Sequence, residues 1–152
     1  MAKKPSDPQT GSGKCPIHFA LDVMGDKWSL LIVRDLVFKS KNTYGAFAKS
    51  PEGISTNILA DRLSKLEASG IVTKTRDPEN QTRVLYRLTD KGCDLIPVLL
   101  AMTEYSARHD AYPTGTRNII QGGPVDLLER ATTDREALVA ELAARAKGDP
   151  AL

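Results

Sequence analysis

Cysteine and histidine occur twice each in this 152-residue chain, aromatic residues make up only 5%, and no apolar run approaches membrane-spanning length. A span needs about 18 or more such residues, so no membrane partner is expected. Cys15 and Cys93 are too few for a disulfide scaffold and should rest reduced. Residues 1–14 are rich in Pro, Ser and Gly and lack the apolar core of a secretory signal. A disordered tail and a cytoplasmic protein are therefore expected. Cys15-x-x-His18 superficially suggests zinc together with Cys93 and His109, but that second pair is too widely spaced for a ligand motif. A Cys15–His18 nucleophile and base would lack an orienting third residue and an oxyanion element. No metal, no cofactor and no enzymatic activity are expected.

Nor is the chain a polycation, since its net charge is only +2. The charge is uneven, however. Residues 1–92 hold 15 Lys and Arg against 10 Asp and Glu, and residues 93–152 hold 6 against 9. A basic front and an acidic rear suit a protein that meets a polyanion with one part of its surface.

The pattern along the chain predicts where that part lies. Pro16 suits a helix start, Ile17, Ala20, Leu21 and Met24 form one helical face, and Gly25 ends it. Asp26 is placed to cap a second helix whose stripe is Trp28, Leu31, Ile32 and Leu36, widened by Leu30, Val33 and Val37. Residues 43–49 read as a short third helix with Tyr44 and Phe47 inward, and Pro51 and Gly53 punctuate the turn after it. Ser55 caps a fourth helix with Leu59, Leu63 and Leu66 on one face, ended by Gly70. Helix, tight turn, helix is the helix-turn-helix arrangement.

Two strands are predicted next, over 71–77 and 83–88, joined by the polar turn of residues 77–82. Val84, Tyr86 and Leu88 alternate with Arg83, Leu85 and Arg87. Thr89 caps a fifth, strongly apolar helix reaching about His109, with Leu95, Leu99 and Met102 along it and a kink at Pro97. Residues 112–123 read as loop. A final helix is predicted over 125–146, broken near 132–134. The expected fold is α+β, a winged helix-turn-helix, with a tail at 1–14, a DNA-binding and dimerisation domain at 15–111, and a loop plus helical extension at 112–152.

With Leu59, Leu63 and Leu66 set inward at 100° per residue, Asn57, Asp61 and Ser64 project nearly opposite and Lys65 flanks them. Asn reads adenine through paired hydrogen bonds, and Asp accepts from cytosine N4. Thr56, Asn57 and Asp61 are therefore the candidate base contacts. Ser55, Lys65, Lys74, Arg76, Arg83 and Arg87 are the candidate phosphate contacts. Asp61 is also placed to pair with Lys65, four residues on.

Gly25-Asp26-Lys27-Trp28-Ser29-Leu30-Leu31-Ile32-Val33-Arg34-Asp35-Leu36 resembles the opening of the HxlR family of bacterial winged-helix transcription regulators. Cys15-Pro16 before it resembles that family too, as do Gly53-Ile54-Ser55, Leu59 and Arg62-Leu63 after it, and Tyr86-Arg87-Leu88-Thr89-x-x-Gly92. Together these cover about residues 15–109. The resemblance implies a homodimer built from the N- and C-terminal helices of the domain, the first and the fifth. It also implies double-stranded DNA, an inverted-repeat operator, as partner. Asp61 departs from the more basic groove-facing helix of many relatives. Some members use an N-terminal cysteine to sense an electrophile or oxidant. Two readings of Cys15 thus stand, a small buried cap against the next helix or a redox sensor whose thiolate the helix start favours. Cys93 and Trp28 are expected in the core. The competing function is a winged-helix protein-interaction module without DNA binding, favoured if the tail covers the basic face.

Overall fold

Asp26, Thr43, Ser55 and Thr89 each accept hydrogen bonds from backbone amides that a helix start would otherwise leave open. The computed structural model describes residues 15–109 and 127–149. Within them the chain runs α1 (Pro16–Met24), α2 (Lys27–Phe38), α3 (Tyr44–Ala48), α4 (Thr56–Ala68), β1 (Val72–Arg76) and β2 (Val84–Leu88). It continues through α5 (Asp90–Cys93), α6 (Ile96–His109), α7 (Leu127–Thr133) and α8 (Arg135–Lys147). The strands pair antiparallel with Lys74 opposite Tyr86. The 1–14 tail, the 112–123 loop and the start of the last predicted helix lie outside the described residues.

The predicted helix-turn-helix and ribbon are all present, and the differences have physical causes. On α2 the deepest positions are Ile32, Val33, Leu36, Val37 and Phe38, each at most 3% exposed, while Trp28 and Leu31 are half-buried. The buried seam is rotated because α2 is covered by α4 on one side and by α8 on another. Tyr44 stays 37% exposed and donates its hydroxyl to the Thr56 carbonyl at 3.0 Å; only Phe47 of that pair is buried. The predicted fifth helix is two helices. It breaks at Asp94 and Leu95, so Pro97 is the second residue of α6, where a missing N–H costs no helical bond. No kink is needed.

Thr89 explains why the wing leads straight into α5. Its hydroxyl donates to the Gly70 carbonyl at 2.5 Å and accepts from the Gly92 amide at 3.0 Å. Gly92 lets the two segments touch, since a Cβ there would stand 2.2 Å from the Ile71 carbonyl oxygen.

The final predicted helix is indeed broken, at Asp134, giving α7 and α8. Leu127, Ala131, Leu138, Leu142 and Ala146 join the same buried cluster as Ile32, Leu36, Leu59, Leu88 and Leu100. Burying a leucine contributes about 1.5–3 kcal/mol, so α7 and α8 add to the same core as the helices before them. Cys93 lies half-buried beneath it, and burial raises its thiol pKa.

A buried carboxylate locks the end of α2 to the turn before α4. Asp35 is 2% exposed and is met by Arg34 at 2.7 Å, by Lys41 at 3.5 Å and by the Ser50 hydroxyl. Such a charge is tolerated only when paired on several sides. Arg34 reaches on to Glu52, and that hydrogen bond holds the Glu52 carboxyl at about 2, well below its ordinary 4.5. A depressed carboxylate pKa stabilises the fold above the unfolded value and loses that contribution as pH falls toward the folded value. Glu52→Gln should therefore remove part of the loss of thermal stability between pH 4.5 and 2. Melting temperatures across that window check this, and a profile identical to the parent's would show that the pair contributes nothing.

Candidate nucleic-acid interface

The period of a helix and the period of a strand together create one polar surface. On α4, Leu59, Leu63 and Leu66 are at most 3% exposed, which leaves Ser55, Thr56, Asn57, Asp61, Ser64 and Lys65 exposed. On β1 the alternate residues Val72, Lys74 and Arg76 share a face with Val84, Tyr86 and Leu88 of β2. At the root of the ribbon Val72 and Leu88 are buried, and farther out the same face becomes cationic. Tyr86 anchors its middle by packing edge-on to Phe47, and its amide donates to the Asn42 carbonyl at 2.7 Å. Lys74 reaches Glu67 of α4 at 3.0 Å, so this cationic face turns toward the fourth helix.

Most of the predicted phosphate cations already have a partner. Lys65 pairs with Asp61 at 3.0 Å, Lys74 with Glu67, Arg83 with Asp77, and Arg76 donates to the Gln81 carbonyl at 2.9 Å. Lys65, Lys74 and Arg83 keep half or more of their side-chain surface in solvent. Exposed pairs are worth about 0–1 kcal/mol, so a phosphate can displace the Lys65–Asp61 and Lys74–Glu67 pairs, whereas Arg83 stays on the buried Asp77 carboxylate and offers only its exposed half. The bond from Lys65 holds Asp61 ionised, with its pKa lowered. Asn57 presents its amide in the open on the first turn of α4, beside the cap that Ser55 makes to the Ile58 amide at 3.3 Å. Arg87 is placed differently. It pairs with Thr73 across the ribbon and so lies on the face opposite Lys74 and Arg76, half-buried.

Three supporting residues had no assigned role in the sequence reading. Arg62 bonds Asp26 at 3.0 Å, tying α4 to the cap of α2, and is 24% exposed. Glu67 holds Lys74 against α4. Asp77 is 4% exposed, accepts from the Glu79 amide at 3.0 Å and takes Arg83, which fixes the wing turn; these bonds lower its pKa. Asp77-Pro78 is a turn signal visible in the chain. The two ion pairs across elements have no local signal.

Away from this surface, Ile17, Phe19 and Leu21 on α1 and Met102 and Tyr105 on α6 are exposed. Cys15, just before α1, is exposed as well, so it is not a cap buried within its own subunit. Trp28 lines a small crevice with Arg34, Phe47 and Glu52. No helix among the described residues is long and apolar enough to cross a membrane.

The model of the HxlR-like helix-turn-helix family matches residues 23–112. The HTH-type transcriptional regulator sll1512 of Synechocystis, itself uncharacterised, is 39% identical over 103 residues, which is 67% of this chain and 76% of that protein. Among solved structures, PA1607, a candidate transcription factor, is 40% identical with a TM-score of 0.61, over 68% of this chain and 70% of its own. The redox regulator HypR in its oxidised form is 31% identical with a TM-score of 0.55, over 62% of this chain and 97% of its own.

Proposed function

The chain belongs to the HxlR-like helix-turn-helix family, and on that premise we propose that it is a homodimeric regulator of transcription that binds an inverted-repeat operator in double-stranded DNA. The observation that carries this is the open face of α4 beside the cationic face of the ribbon that turns toward it. Ser55, Lys65, Lys74, Arg76 and Arg83 hold phosphates, and Thr56, Asn57 and Asp61 read bases. Two copies of α4 enter successive major grooves about one helical turn apart. The exposed apolar side chains of α1 and α6 support the two-fold interface that brings them there. The interaction-module alternative is favoured if the tail covers the basic face. Among the described residues, α8 packs on α2, α6 and β2, and Lys74 and Arg76 remain exposed.

Selection of bound DNA from a random pool tests binding and sequence preference together. An inverted repeat is expected, and no enrichment would end this reading. Asn57→Ala should relax the preference at one base pair per half-site, at a cost of ~1–3 kcal/mol. An unchanged motif would remove Asn57 from the readers.

Cys15 gives this reading a second arm. Its exposure at the start of α1, and the likeness to a redox regulator, support a thiol switch at the dimer seam. Two Cys15 thiols would lose two protons and two electrons to an oxidant and form one disulfide between subunits, shifting the spacing of the two α4 helices. Binding to the selected DNA should be lost after diamide in the native protein and kept in Cys15→Ser. Equal responses would return Cys15 to a structural role.

A further inference from the structure

One turn of α8 touches three other elements. Arg145 donates to the Val37 carbonyl at 2.5 Å, closing the C-terminal end of α2. Lys147 meets Asp90 of α5 at 3.1 Å. Gly148 lies beneath the guanidinium of Arg87, so closely that a Cβ on Gly148 would stand 2.6 Å from both Cζ and Nε. At its other end α8 is tied to α6 through Arg135 and Glu104 at 2.6 Å. The helix is thus a strap across the domain whose last turn ends on the ribbon.

The ribbon needs such a strap. A two-stranded hairpin is marginal in water unless its faces are packed. One face rests on Phe47 through Tyr86. The other carries Leu85 and Arg87, and Leu85 is 8% exposed with α8 packed against β2. The end of α8 is also well defined. Gly148 has φ +76° and its amide bonds the Arg145 carbonyl, while the Asp149 amide bonds the Ala144 carbonyl, both at 3.0 Å. A guanidinium over this end is favoured by the partial negative charge of the last turn. The Arg87 Nε is shut away from solvent without a hydrogen-bond partner, and the side chain packs on the end of α8, on the face away from the cationic surface. All of α8 lies beyond the matched family region, which ends at residue 112.

We propose that α8 is a brace that positions the wing, with Arg87 on Gly148 as its contact, so that Arg87 is a positioning residue and not a phosphate contact. The proposal rests on the DNA-binding reading only for its consequence, since the brace itself is a property of the free protein.

The test uses the full chain with Arg87→Gln, Gly148→Ala and, as a phosphate-contact control, Lys74→Gln. Amide exchange over residues 72–76 and 84–88 is measured without DNA, and affinity for the selected DNA is measured across salt concentrations. Arg87→Gln and Gly148→Ala should each speed ribbon exchange and weaken DNA binding, by about threefold, the scale of one lost cation at a helix C-terminus. The salt dependence should be unchanged in both. Lys74→Gln, which loses only an exposed pair to Glu67, should speed ribbon exchange less than either and flatten the salt dependence by about one phosphate equivalent per subunit. A flattened slope in Arg87→Gln would make Arg87 a phosphate contact and overturn the proposal. So would parent-like ribbon exchange in Arg87→Gln and Gly148→Ala. If the parent binds no DNA, the function fails while exchange still decides the brace.

Discussion

Replacing Lys74 and Arg76 together by glutamine is expected to lower affinity for the operator by roughly 10³–10⁴-fold at about 0.1 M salt. The two residues stand two apart on β1, on the ribbon face that turns toward α4. A dimer loses four phosphate contacts in the double variant. Each contact contributes a slope of about −0.9 in log affinity against log salt, so the salt dependence should flatten by ~3.6. The loss should fall on specific and non-specific DNA alike, because phosphates carry no sequence information. Both side chains are exposed, and such surface changes leave folding within about 0.5 kcal/mol. The Glu67 carboxylate, freed of Lys74, would add repulsion. Titrations at several salt concentrations check the result, and an unchanged slope would place the wing away from DNA.

A comparable loss is expected from breaking the dimer. Phe19→Asp with Tyr105→Asp should yield a folded monomer that no longer holds the inverted repeat. Phe19 is 62% and Tyr105 63% exposed in the single subunit, so each can accept a carboxylate without disturbing the core. In a two-fold interface every change counts twice. Losing four buried aromatic side chains at about 2 kcal/mol each removes ~8 kcal/mol, which is the whole of a micromolar association. Sedimentation should show dimers for the native chain and monomers for the variant at micromolar concentration. A native monomer would sink the interface. Leu99 would be a poor probe of it despite its place on the same helix. It is 6% exposed within its own subunit, so aspartate there would unfold the domain and the two outcomes would be confused.

Short-range chemistry carried much of this architecture. Asp26, Thr43, Ser55 and Thr89 cap helices because each side chain needs only the next two or three amides, a spacing written in the chain. The 3.6-residue period of Leu59, Leu63 and Leu66 separated the buried from the open side of α4, and the i to i+4 spacing of Asp61 and Lys65 announced their pair. The break at Asp134 was legible as well, although the Asp134 side chain makes no capping bond. The family resemblance was legible over residues 15–109 because its residues are these caps and faces.

Contacts between distant segments were not legible. The sequence could not tell that Glu67 would hold Lys74, that Asp26 would hold Arg62, or that Asp35 and Glu52 would share Arg34, since nothing local selects among the available carboxylates. Arg87 shows the cost most clearly. Strand alternation assigns it a face, but only the return of the chain at Gly148, 61 residues later, decides that this face meets the end of a helix. The Pro97 kink was misread for a related reason: proline forbids a bond at one place, and tertiary packing chose to start the helix there. Periodicity and capping are local free energies and can be read along the chain. Which surfaces meet is decided by the total area they bury together, and that exists only in three dimensions.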